Sequence, residues 1–151
     1  MLSNDADAAR ALALVRDFRA LVGQLKRRLR EQARPDGLTP SQNAVIMRLE
    51  RDGPMTVTVL ARGEGVRPQS MGATVAALQA AGLVGAKADP ADGRQTLLSL
   101  TDACRHLIAD NRAAREDWLF QAVQAKFSPR EQQELANAVA LLQRLVDDPR
   151  Q

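Results

Sequence analysis

The sequence has little of the chemistry on which many enzymes and metalloproteins rely. Its 151 residues include one cysteine, one histidine and no tyrosine. The single cysteine, Cys104, excludes an intramolecular disulfide and favours a reducing compartment. Cys104 and His106 lie two residues apart on a predicted helix, about 200° around its axis, so they do not face one metal ion. No glycine-rich phosphate loop, Ser-His-Asp set or carboxylate pair indicates an enzyme.

Long apolar runs are also absent. Charged residues interrupt every hydrophobic stretch, so no segment is long enough to span a bilayer. Residues 1–5 lack the basic and then apolar pattern of a secretory signal, and we therefore expect a cytoplasmic protein. With 45% apolar and 26% charged residues, the composition predicts one compact globular domain overall.

The formal net charge of +3 suggests a nucleic-acid partner, but the charge is unevenly distributed. Residues 1–35 carry eight Lys/Arg and four Asp/Glu, residues 36–101 carry six of each, and residues 102–151 carry seven and eight. The positive excess therefore lies in the N-terminal segment. Charge alone does not establish DNA binding.

Apolar spacing predicts mostly helical structure with one β-hairpin. Capping boxes that begin at Thr39 and Ser128, each followed by proline, mark two helix starts, and Thr101 or Asp102 caps another helix. The hairpin surrounds the loop at residues 89–93. The predicted helices cover about residues 7–34, 40–52, 57–63 and 68–81, a long helix that begins near residue 102 and carries Val123, and a last helix at residues 129–147.

This order of elements predicts a mainly α protein with a small two- to three-stranded β wing, that is, a winged helix-turn-helix with long terminal helices. We divide the chain into an N-terminal helix at residues 1–35, a winged helix-turn-helix at residues 36–101 and C-terminal helices at residues 102–151. The second helix of such a motif lies in the major groove, with its first residues facing base edges.

That second helix begins with Arg67 and Pro68. Arg67 can donate two hydrogen bonds to guanine, Gln69 can pair with adenine, and the methyl group of Thr74 can contact thymine. Arg94, near the tip of the hairpin loop, can enter the minor groove. A solvated polar first turn on a packing helix explains these residues equally well, so the two interpretations stay open on these residues alone.

Several short stretches in the same order resemble the MarR family of bacterial transcription regulators. The similarity covers residues 10–147 in the order of elements and residues 38–106 in detail. The stretches that carry it are Leu38-Thr39-Pro40-Ser41-Gln42, Gly53-Pro54-Met55-Thr56, Leu60-Ala61, Val66-x-Pro68-Gln69-Ser70, Ala81-Gly82-Leu83-Val84, Asp89-Pro90-Ala91-Asp92-Gly93-Arg94 and Leu98-Ser99-Leu100-Thr101-Asp102.

The resemblance implies a homodimer whose first and last helices intertwine and whose two reading helices enter successive major grooves of a pseudo-palindromic operator. It also implies that Arg94 reads the minor groove and is held by Asp92, and that a small anionic or phenolic effector regulates DNA binding. The expected function is that of a ligand-responsive repressor without a cofactor. The expected DNA contacts are Arg67, Gln69, Ser70 and Thr74 in the major groove, Asp92 and Arg94 in the wing, and Arg62 and Lys87 on phosphates.

The sequence also departs from the family pattern. Ala73 stands where an arginine is usual, and Ala76, Ala77 and Ala81 stand where charged residues are common. These alanines and the neutral middle segment favour an alternative, a winged-helix protein-interaction module with weakened or lost DNA binding. Glu64 replaces a usual leucine between two glycines, and it must find a partner or reach water.

Cys104 allows two interpretations, a redox switch or an inert buried thiol. Peroxide-sensing members of the family carry their reactive cysteine in the first helix, close to tyrosines. This chain has no tyrosine, and its cysteine follows the wing. An inert buried thiol is therefore the preferred hypothesis.

Overall fold

The structure, a computed structural model, describes residues 2–32 and 37–147. Its order of elements confirms the predicted winged helix-turn-helix. The first helix begins about five residues earlier than predicted, and the predicted end at Arg34 lies outside the described residues. The elements are α1 (Leu2–Gln32), α2 (Pro40–Asp52), α3 (Val57–Glu64), α4 (Pro68–Ala80), β1 (Val84–Ala88), β2 (Thr96–Leu100), α5 (Asp102–Lys126) and α6 (Pro129–Gln143).

Two capping boxes fix helix starts as the sequence predicts. The Gln42 backbone N–H donates to Thr39 Oγ1 at 3.2 Å, and the Thr39 N–H donates to Gln42 Oε1 at 2.8 Å. The Ser128 N–H donates in the same way to Glu131 Oε2 at 2.8 Å. Backbone and side-chain hydrogen bonds from Ser128 lower the pKa of the Glu131 carboxyl. These reciprocal bonds satisfy backbone donors that would otherwise lack partners at the helix ends.

Thr101, rather than Asp102, caps α5. The Cys104 N–H donates to Thr101 Oγ1 at 3.2 Å, and the Thr101 hydroxyl donates to the Gly82 carbonyl at 2.7 Å. One hydroxyl therefore begins α5 and ties it to the chain that follows α4.

The last helix is shorter than predicted. α6 ends at Gln143, and three-residue turns follow it, such as the bond of 2.9 Å from the Val146 N–H to the Gln143 carbonyl. Val146, which was expected on the helix face, thus lies in these turns. The predicted stop at residues 148–149 falls outside the described residues.

The chain forms two compact units. One contains the described residues up to Gln32 and those from Ala113 onward, and the other contains the described residues between them up to Arg112, so α5 contributes to both. None of the helices in the described residues has an apolar stretch that could span a lipid bilayer.

The unit that ends at Arg112 holds all the buried apolar side chains found in residues 5–32 and 37–147, and they come from α2, α3, α4, both strands and the start of α5. They are Val45, Ile46, Leu49, Leu60, Ala61, Met71, Val75, Leu78, Val84, Leu98, Leu100 and Cys104.

The wing consists of two antiparallel strands, with Val84 opposite Leu100 and Ala88 opposite Thr96. The expected third strand is reduced to an isolated bridge between Met55 and Leu98, with N···O distances of 3.1 and 2.9 Å. Since Met55 lies between α2 and α3, this bridge fixes the base of the wing to the start of α3.

Replacing Leu60 tests the core. Leu60 is 0% exposed, so Leu60→Ala removes packed methyl groups and should lower the free energy of unfolding by about 2–5 kcal/mol. The neighbouring Val59 is 50% exposed, so Val59→Ala should change it by no more than about 0.5 kcal/mol. Urea unfolding at one fixed protein concentration measures both. Equal losses for the two variants would contradict the assigned core.

Candidate nucleic-acid interface

A tight turn joins α3 to α4. The Gly65 N–H donates to the Arg62 carbonyl at 3.3 Å, and the Val66 N–H donates to the Ala61 carbonyl at 3.0 Å. This bond pair is the Schellman ending of a helix, which needs a left-handed residue. Gly65 supplies it with φ +66° and ψ 28°. The turn therefore sets the direction in which the chain enters α4.

Arg67 occupies the N-cap position of α4, directly before Pro68. Its backbone is extended, with φ −71° and ψ 143°, and its side chain makes no capping hydrogen bond. The side chain is exposed, and no described residue accepts a hydrogen bond from its guanidinium. The guanidinium of Arg67 is thus available to a partner outside the chain.

The outward face of α4 is mostly alanine. Met71, Val75 and Leu78 point into the core. Because residues three and four apart share a helix face, the opposite side carries other side chains. These exposed residues are Gln69, Ala73, Ala76 and Ala80.

Thr74 does not belong to that outward face. It is half-buried, and its hydroxyl donates to the Ser70 carbonyl at 3.2 Å. Ser70 itself is exposed. Both residues line a groove of about 310 Å³ between α2 and α4, which we name the α2–α4 groove. Its remaining lining residues are Pro40, Ser41, Ala44, Glu64, Val66 and Met71.

Hydrogen bonds close the wing loop. The Asp89 N–H donates to the Gln95 carbonyl, and the Gln95 N–H donates to the Asp92 carbonyl, each at 2.9 Å. The Asp92 carboxylate accepts from the Arg94 backbone N–H at 3.1 Å and from Gln95 Nε2 at 3.2 Å. In this structure Asp92 therefore holds the main chain of Arg94. The exposed Arg94 guanidinium has no acceptor among the described residues.

The start of α3 and the end of the wing border one depression of about 470 Å³. Thr56 caps α3, accepting from the Val59 N–H at 3.3 Å, and it lines this depression together with Thr58, Gln95 and Thr96. A helix N-terminus with hydroxyl groups is suited to a phosphate. Sequence reasoning missed Thr58 and Gln95 because their proximity depends on the long-range bridge at Met55.

The two expected phosphate contacts lie on different elements. Arg62 is exposed in the last turn of α3. Lys87 is exposed on β1, opposite Leu97 of β2. Neither side chain has a hydrogen-bonding partner among the described residues. Both cations therefore remain available.

The partner of Glu64 is Arg48, on α2. Arg48 Nε donates to Glu64 Oε1 at 2.9 Å, and the two side chains are 26% and 23% exposed. Arg48 thus gives the half-buried carboxylate of Glu64 the charged partner that its burial requires. It also connects α2 to the turn that precedes α4.

Comparisons with known proteins agree on one family. Residues 36–95 match the MarR family profile. An uncharacterized HTH-type transcriptional regulator of Mycobacterium leprae is 34% identical over 98% of this chain and 99% of its own length. The solved structure of a Pseudomonas aeruginosa protein described as a putative transcriptional regulator has a TM-score of 0.76 and 34% identity, and the match covers 92% of this chain and 97% of that one.

A more distant likeness shows the fold alone. A mutant of S. aureus MepR, solved bound to an oligodeoxyribonucleotide, is 20% identical to this chain with a TM-score of 0.66. The match covers 85% of this chain and 94% of that one.

Cys104 is fully buried in the core, whereas His106 is exposed. The two side chains therefore do not share a face of α5. Burial raises the pKa of the Cys104 thiol. Since the thiolate is the reactive form, this environment supports the hypothesis of an inert cysteine.

Thiol titration tests this hypothesis. At pH 8 in native buffer, Cys104 should react with a disulfide reagent at least about a hundredfold more slowly than in denaturing urea, because folding both buries the sulfur and disfavours its thiolate. Release of the chromophoric thiolate, followed by absorbance, gives both rates. Similar rates in the two buffers would show a reactive cysteine.

Proposed function

Because this chain belongs to the MarR family of helix-turn-helix transcription regulators, we propose that it is a repressor that binds a short pseudo-palindromic operator as a homodimer. The family is one of regulators and not of enzymes. The observation that carries the proposal is the pair of exposed, unbonded guanidinium groups of Arg67 and Arg94. One stands at the start of the recognition helix and the other in the wing loop.

In this proposal, α4 enters the major groove. Arg67 donates to guanine and Gln69 pairs with adenine, while Ser70 contributes its hydroxyl. The exposed methyl groups of Ala73 and Ala76 contact thymine methyl groups, a role that the sequence had suggested for Thr74. Thr74 lies beside these alanines, at the edge of the α2–α4 groove.

The wing and α3 supply the remaining contacts. Arg94 enters the minor groove, and Asp92 fixes the main chain from which it extends. Arg62, Lys87 and the capped start of α3 at Thr56 contact phosphates. A MepR mutant that shares this fold was solved bound to an oligodeoxyribonucleotide, which supports DNA as the partner.

The homodimer explains an otherwise uncovered apolar surface. Among the described side chains, α1 and α6 bury none. Exposed apolar area of this extent marks an association surface, and a second copy provides a matching one. The exposed side chains of α1, α6 and the turns after α6 are Leu12, Leu14, Val15, Leu21, Leu25, Leu135, Val139, Leu141, Leu142, Leu145 and Val146.

The proposal also includes an effector. Family resemblance is its support, and the chemical class is a small anionic or phenolic molecule whose binding changes the distance between the two recognition helices. An effector that favours the helix-to-helix distance of the DNA-bound dimer keeps the repressor on its operator, and one that favours another distance releases it.

The first test replaces Arg94. Against a duplex selected from a random pool, Arg94→Ala should weaken binding by roughly tenfold or more, because one charged groove contact is lost. Arg130→Ala removes the same charge from α6, outside the proposed interface, and should leave the affinity unchanged. Fluorescence anisotropy measures the affinities, and light scattering checks that each variant keeps the wild-type mass.

The same titrations, repeated at several salt concentrations, separate the proposal from a protein-interaction module. The alanine face of α4 and the equal charge counts of residues 36–101 favour that second candidate. The proposal places four cations of each protomer on phosphates or in grooves. Raising the salt concentration from 50 to 200 mM should therefore reduce the affinity for random duplex by about a hundredfold or more. A flat salt dependence, or equal binding by Arg94→Ala, would favour the interaction module.

The dimer has its own test. Wild-type protein should sediment at twice the 16.4 kDa mass of the chain. Val139 is 57% exposed on the apolar face of α6, so Val139→Asp should shift the protein toward the single-chain mass. Asn137→Asp places the same charge on the opposite face and should leave the mass unchanged. Wild-type protein that sediments as a single chain would overturn the dimer.

A further inference from the structure

We propose that Arg48, acting through Gly63 and Glu64, is a positioning residue that sets the orientation of the recognition helix, an inference that rests on the proposed DNA-binding function. We name these three residues the Arg48 clamp. None of them is among the residues that contact DNA in the proposal above.

The clamp joins α2 to the end of α3. Besides the bond to Glu64, Arg48 Nη2 donates to the Gly63 carbonyl at 2.7 Å. Arg48 Nη1 donates more weakly to Asp52 Oδ2 at 3.4 Å, one turn along α2. A planar guanidinium fork binds several oxygens in one fixed geometry, which a lysine ammonium does not reproduce.

The α2 end of the clamp lies on a helix that is packed into the core. Arg48 lies between core residues, since Val45 is 0% exposed and Leu49 is 4% exposed. The ion pair itself is largely shielded from water, with about a quarter of each side chain exposed, at 26% and 23%. Screening by salt is weaker for such a pair than for a fully exposed one.

Gly63 makes the approach of Arg48 possible. A Cβ atom at this position would lie 2.9 Å from Arg48 Cζ and 3.0 Å from Nη2. Gly63 lies inside α3, where glycine is a poorer helix former than alanine. The closeness of the guanidinium gives a physical reason for glycine there.

The clamp acts next to the recognition helix. Glu64 directly precedes Gly65, whose left-handed turn leads to Arg67. Glu64 also lines the α2–α4 groove, together with Ser70 and Met71 of α4. Displacement of Glu64 therefore moves both the turn and one wall of this groove, and α4 moves with them.

A double-mutant cycle tests the contact through thermal unfolding. In the wild-type background, Gly63→Ala should lower the Tm, because the new methyl group displaces the Arg48 guanidinium and breaks its hydrogen bonds to Glu64 and the Gly63 carbonyl. In the Arg48→Ala background, the same change should leave the Tm unchanged or raise it, because there is no guanidinium to displace and alanine favours a helix. An equal change of Tm in the two backgrounds, whether a fall or a rise, would overturn the clamp.

Positioning is tested by the ratio of two affinities, for a selected duplex and for a random duplex of equal length, at a temperature where every variant is folded. Arg48→Ala and Gly63→Ala should each lower this ratio by about fivefold or more, since base contacts need a precise helix orientation and phosphate contacts less so. Arg48→Lys keeps the charge without the fork, and should recover part of the ratio.

Arg51→Ala is the matched control. Arg51 lies on the same helix but bonds only to Asp52 among the described residues, at 2.9 and 3.1 Å, so its loss should leave the ratio unchanged. If the wild type prefers the selected duplex and the Arg48 variants keep that preference, the positioning role is wrong and the proposed function stands. If the wild type shows no preference for any duplex, the proposed function fails, and the positioning role fails with it.

Discussion

The burial of one face of α4 is the constraint on which the reading surface depends. Met71, Val75 and Leu78 pack into the core that α2, α3 and the strands share. Since these three residues fix the rotation of the helix about its axis, Gln69 and the alanines must face outward. Rotation about the axis is fixed by hydrophobic packing, whereas the direction in which the helix leaves α3 is fixed by the turn at Gly65. Both must be correct before any base is read.

The wing is held by a different set of interactions. Met55 bridges Leu98, and Thr101 bonds to the Gly82 carbonyl, so the hairpin is attached at its base to the start of α3 and to the end of α4. Asp92 then closes the loop that bears Arg94. The loop is thus ordered by local hydrogen bonds. These bonds do not involve the guanidinium of Arg94, which stays available to a partner outside the chain.

The sequence predicted features that depend on near neighbours and missed those that depend on distant ones. Capping boxes at Thr39 and Ser128 involve residues three apart, and both are present. The two interpretations of Glu64, a partner or water, could not be separated, because Arg48 lies sixteen residues away on another helix. Thr74 was expected among the base readers, and only the packing of α4 against α2 shows that it lies toward the groove. The roles of all these residues in DNA binding stay predictions.

A reading surface with few cations places particular demands on its geometry. In the proposed function, sequence recognition by α4 depends on a small number of hydrogen bonds and methyl contacts, because residues 68–80 carry no cation beyond the N-cap Arg67. Each remaining contact then depends more strongly on the orientation of its helix. A recognition helix without arginines beyond its N-cap therefore depends more on the shielded ion pair behind it. Arg48 and Glu64 form this pair at the turn where orientation is decided.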